Sequence, residues 1–141
     1  MNHFFVDAET DGLYGAFLSA AVLVTDEDGK ELDRFYGAVD VKTAEISTQW
    51  VQENVAPYLR QAERVYPNES ALLDAFWEVW LRWRENARCI ADVGVPVEAR
   101  LFARCVEKDI RAAAAAGRAV LEFLGVAAAA GLVHVAADVV V

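Results

Sequence analysis

The chain opens with a short aromatic, β-prone run at residues 3–7 that ends in polar side chains. This is the pattern of a buried strand leaving a core. A loop at 8–15 follows, where Gly12 and Gly15 permit unusual backbone angles. Phe17–Thr25 is a second apolar run, Asp26-Glu27-Asp28-Gly29 has the composition of a hairpin turn, and Glu31–Val39 reads as a third strand pairing back on the second. The expectation is three antiparallel strands in order, starting almost at the N-terminus.

Helical spacing takes over at 47–60, with Pro57 suggesting a break or a new start, and is clearest over 68–86. There Leu73, Phe76, Trp77, Trp80 and Trp83 form an aromatic stripe that Ser70 can cap. Core packing explains the stripe better than a base-stacking surface does. Residues 88–93 predict a short buried strand ending in an acid, and Pro96 suits the opening turn of a helix over 97–110. The last third is rich in Ala. Residues 119–126 suit a strand and 126–132 a helix, while 133–141 fit either. The element order predicts an α/β layer fold, a mixed sheet covered by helices.

Length and charge narrow the picture. A chain of 141 residues is one domain's worth, and 56% hydrophobic residues exclude disorder for most of it. No apolar run is long enough for a membrane span, and the N-terminus carries acids where a signal peptide needs its apolar core. A cytoplasmic protein is the default expectation. The 13 basic and 22 acidic residues leave a net charge of −9, which argues against a general nucleic-acid coat. Such a chain can still act on nucleic acid if cations neutralise its site. Cys89 and Cys105 have no zinc-like spacing and read as two reduced, buried thiols.

The candidate chemistry begins at Asp7 and Glu9. Strand alternation places residues i and i+2 on one face, so the two carboxylates point the same way if the strand persists to Glu9. Side by side they repel and raise each other's pKa, a penalty that a hard cation such as magnesium or manganese removes. A pair of solvated acids at a strand end is the plainer alternative.

Asp7-Ala8-Glu9-Thr10-Asp11-Gly12-Leu13 resembles the first motif, D-x-E-x-x-G-L, of the DEDD (DnaQ-like) 3′–5′ exonucleases, which have a ribonuclease H-like fold. The resemblance is close at this motif and loose elsewhere. It implies a single exonuclease-like domain that removes nucleotides from the 3′ ends of RNA or single-stranded DNA, with an exoribonuclease the expected type, and relatives that often form homodimers. It implies two Mg2+ or Mn2+ ions. Asp7 and Glu9 would be ligands, joined by a second-motif acid and by an acid downstream of a general base. The second-motif acid is Asp92, by residue type and strand-end position, or Glu98, by its place in a helix's first turn. The third motif falls on His134 as general base and Asp138 as ligand, four residues apart. Gly12 and Leu13 would contact substrate, Leu13 as a wedge against the terminal base.

Two departures accompany the resemblance. Three residues separate His134 from Asp138 where the His-bearing branch usually has four, and the sequence ends three residues after Asp138, implying a shortened last helix. They keep a second expectation open: a catalytically impaired ribonuclease H-like module that binds nucleic acid or a protein partner.

Overall fold

The computed structural model describes residues 1–115. These hold five strands, β1 (Asn2–Thr10), β2 (Phe17–Thr25), β3 (Glu31–Val39), β4 (Arg64–Tyr66) and β5 (Ala87–Ile90), and four helices, α1 (Gln49–Asn54), α2 (Ala56–Leu59), α3 (Glu69–Trp83) and α4 (Val97–Ala115), in the order βββααβαβα. The architecture is α/β, with one mixed sheet in the order β4-β3-β2-β1-β5. β1 and β3 each pair antiparallel with β2, whereas β5 runs parallel to β1 and β4 parallel to β3.

The strand order corrects the expectation in one respect. The fourth strand in sequence is Arg64–Tyr66, on the far edge beside β3, and the strand expected at 88–93 is the fifth, Ala87–Ile90, beside β1. β4 has only three residues and none of them is buried, so it leaves no hydrophobic alternation to read. β1 is also longer than residues 3–7. It runs to Thr10 because Ala8 and Thr10, too small or too polar to extend an apolar run, are buried on the same side as Phe4 and Val6.

One face of the sheet carries the main core. Phe4, Val6, Val22, Val24 and Phe35 pack against Leu72, Leu73, Phe76 and Trp80 of α3 and Leu101, Phe102 and Cys105 of α4. The aromatic stripe of α3 is part of this core. Trp80 meets Phe4 and Phe102 edge-on at centroid distances of 5.1 and 5.0 Å, a geometry favoured by the ring quadrupoles. Asn68 caps α3, its side chain accepting from the Ala71 N–H at 3.0 Å, so the cap is two residues before Ser70. On the opposite face α1 and α2, divided at Val55, bury Val51, Val55 and Leu59 on Leu18 and Ala38. Pro57 lies in the first turn of α2, where its missing N–H costs no helical hydrogen bond.

No described helix is long and apolar enough to cross a membrane. The elements expected at 119–126, 126–132 and 133–141, and with them His134 and Asp138, lie outside the described residues.

Candidate functional site

Asp7 and Glu9 share one face of β1, the face turned away from the main core, and both are exposed, as is Phe5 before them. The condition on their alignment is met because β1 continues past Glu9. Register carries the pair across the sheet. Asp7 lies opposite Ala21, which lies opposite Tyr36, and Glu9 lies opposite Ser19, which lies opposite Ala38. The Tyr36 hydroxyl donates to the Tyr58 carbonyl at 3.2 Å, and its pKa is raised by burial and then by the charges of Glu9 and Asp7. The tyrosine therefore borders the acidic pair.

Glu98 enters from the edge of the sheet, in the first turn of α4, and is the one buried acid among the described residues. Hydrogen-bond parity explains its position. The Asn2 N–H donates toward the β5 side, to the Asn86 carbonyl, so the even-numbered N–H groups of β1 face that edge. β5 stops at Ile90, opposite Phe5, and leaves the Ala8 N–H without a strand partner. The Glu98 carboxylate faces that N–H and its own backbone N–H, both of which lower its pKa. Burial outweighs them, and with the charges of Asp7 and Asp92 it raises the pKa above the ordinary value. Glu9 is raised in the same way, by burial first and then by Asp7 and Glu98. Acids from β1 and α4 thus act on one another electrostatically. Asp92, at the exit of β5, is exposed and turns one oxygen to the Val93 N–H at 2.7 Å.

No family model, curated protein or solved structure matches the chain.

The donor chemistry of Asp7, Glu9 and Glu98, hard oxygens carrying like charge, suits a divalent cation of the magnesium type. As the side chains stand, no three acidic, Cys or His groups among the described residues converge closely enough to enclose an ion.

Beside the acids, the loop from Asp11 to Ala16 is held from two sides. The Asp11 carboxylate accepts from the Ser47 N–H (2.7 Å), the Ser47 hydroxyl (2.6 Å) and the Thr48 N–H (3.0 Å), bonds that hold its pKa well below the usual carboxylate range. It thereby serves the start of α1, whose own N-cap, Thr48, makes no side-chain cap. From the other side, Arg100 of α4 donates to the carbonyls of Leu13, Tyr14 (3.0 Å) and Gly15 (2.8 Å). Gly12 has φ +73°, in the left-handed region, and its carbonyl accepts from the Thr10 hydroxyl at 2.6 Å. Gly15 is fixed by space, since a Cβ there would lie 1.9 Å from the Asp11 carbonyl oxygen. Leu13 and Tyr14 remain 60% and 78% exposed on this fixed backbone, and Trp50 of α1 is 63% exposed.

Sequence reasoning missed the structural roles of Asp11, Arg100 and Tyr36. The partners of Asp11 and Arg100 lie 36 and about 86 positions away, so no local pattern announces them. Arginines are the side chains a phosphate would meet, but several here have partners of their own. The Arg100 guanidinium holds the loop, Arg82 pairs with Asp33, and Arg104 pairs with Glu69. Cys89 and Cys105 are free thiols that burial pushes up to about 11 and about 12, so both stay protonated near neutrality.

Proposed function

We propose that this chain is a metal-dependent 3′–5′ exonuclease with a ribonuclease H-like fold, acting on the 3′ ends of RNA or single-stranded DNA. The observation that carries the reading is that Asp7 and Glu9 share one face of β1 while the buried acid Glu98, in the first turn of α4, faces the same strand at Ala8. Three antiparallel strands with a parallel strand beside β1 support the reading, whereas β4, parallel to β3 at the far edge, is a strand the reading does not call for.

Asp7, Glu9 and Glu98 would hold the cations, with Asp138 completing the set. Glu98 takes the second-motif role in this reading because it is buried against β1, whereas Asp92 is exposed and occupied with the Val93 N–H. When bound, two divalent ions would supply charge neutralisation at the scissile phosphate and a nucleophilic water of lowered pKa. The residues of the chain do the rest. Asp7, Glu9 and Glu98 would fix where the cations sit, His134 would take the proton of the attacking water, and Leu13 on its fixed loop would bear on the terminal base. A net charge of −9 would repel phosphate from the bare site, so substrate engagement depends on the cations.

The test is release of mononucleotides from a labelled single-stranded oligonucleotide with manganese or magnesium, alongside an Asp7→Asn control. Metal-dependent 3′ trimming that the control lacks is the expected result. The second reading, an impaired ribonuclease H-like module that binds nucleic acid or protein, draws on the lack of a closed acidic triad among the described residues. An oligonucleotide left intact with either metal selects it.

A further inference from the structure

We propose that Arg100 is a positioning residue that fixes how Leu13 and Tyr14 meet the terminal nucleotide of the substrate, an inference that rests on the nuclease reading above. Its guanidinium gathers three successive backbone carbonyls, those of Leu13, Tyr14 and Gly15. It also lies over two rings, with its central carbon 5.2 Å from the Phe17 centroid and 5.7 Å from that of Tyr14. Phe17 is fully buried, so the guanidinium rests on an immobile surface.

The outcome is a loop with a fixed main chain and free side chains. Asp11 holds one flank through Ser47 and Thr48, and Arg100 holds the tip. Leu13 and Tyr14 still project into solvent. Fixing a contact surface before the ligand arrives lowers the ordering cost of binding. Arg100 also lies two residues after Glu98 in α4, so one helical turn places both the buried acid against β1 and the clamp on the loop. The seating of α4 therefore sets the spacing between the acids and the surface that would receive the terminal base. The planar fork divides the three carbonyls between two donor nitrogens, Nη1 and Nη2, where a lysine ammonium offers a single point.

Arg100→Ala, Leu13→Ala and the double variant, each in the full chain, test this by steady-state kinetics of manganese-dependent mononucleotide release. Arg100→Ala is expected to raise KM about tenfold while kcat falls less than about threefold, the signature of lost ground-state positioning. If Arg100 acts through Leu13, the double variant has a KM close to that of the worse single variant, because coupled effects do not add. An unchanged KM in Arg100→Ala, or KM effects that multiply in the double variant, overturns the proposal. Should Arg100→Ala fail to fold, Arg100→Lys keeps the charge and stem while losing the fork, and the same two outcomes decide. Wild-type protein that leaves the oligonucleotide intact overturns the nuclease reading, a separate result that removes this inference with it.

Discussion

The two faces of β1 are made of the same nine residues and do opposite things. Phe4, Val6, Ala8 and Thr10 are buried in the main core, while Phe5, Asp7 and Glu9 stand exposed on the other side. The first set is there to be removed from water. The second set brings like charges together at some cost to the fold. The strand teaches that a period of two lets one short segment bury one row of side chains and gather charge on the other.

That separation can be broken at chosen points. Phe4 is fully buried between Phe76 and Trp80, so Phe4→Ala should cost about 3–5 kcal/mol of stability. Chemical denaturation measures it, and a loss below 1 kcal/mol would mean that this face is not the core's keystone. Across the strand, Asp7→Asn should leave the unfolding midpoint almost unchanged and reduce nuclease turnover roughly 10²–10³-fold, the scale of one lost preorganised contact at a reacting centre. Equal turnover in the variant would remove Asp7 from the site.

Asp11 sharpens the contrast, because it is an acid of the same motif whose role is structural. Asp11→Ala should cost about 1–2 kcal/mol, as expected for a lost helix-capping group. The pH dependence has a defined sign. The carboxyl pKa of Asp11 is lowered by folding, so its contribution is present above the ordinary value of 3.8 and is lost as pH falls below it. The variant should therefore converge with the wild type in acid, as followed by thermal melts across pH.

Glu98→Gln gives the smallest effect and the opposite sign. Its pKa is raised by folding, so wild-type stability is fully present below the ordinary value of 4.5 and declines as pH rises through the folded value. Without divalent metal the Gln variant should match the wild type in acid and exceed it near neutrality by up to about 1 kcal/mol, the scale of an ordinary single-site change. Added manganese should reverse the ranking, because only the carboxylate gains from the cation. A wild-type chain that is the more stable at neutral pH without metal would show that the Ala8 contact outweighs the burial of charge.

Much of this was legible in the sequence, for physical reasons that differ by element. β2 and β3 were readable to the residue because each is a continuous β-prone run bounded by turn residues. The pairing of Asp7 with Glu9 followed from strand periodicity alone. β4 was not readable, since a three-residue edge strand with no buried side chain carries no pattern. The relation of Asp92 to Glu98 was also out of reach. Both are acids near a strand end, and what distinguishes them is the distance at which β5 stops pairing with β1, a property of register. Asp11 and Arg100 were hidden for a related reason, because their partners come from α1 and from the first loop across long stretches of chain.

The early end of β5 has one more consequence. A β-strand that outlasts its neighbour exposes an amide that must find an oxygen somewhere, and here the Glu98 carboxylate from α4 faces it. Position 98 is thus constrained by backbone accounting before any catalysis is considered. Glutamine can fill it, whereas leucine would strand the Ala8 N–H in a dry place. The acid at this edge is first of all an acceptor standing where the sheet runs out.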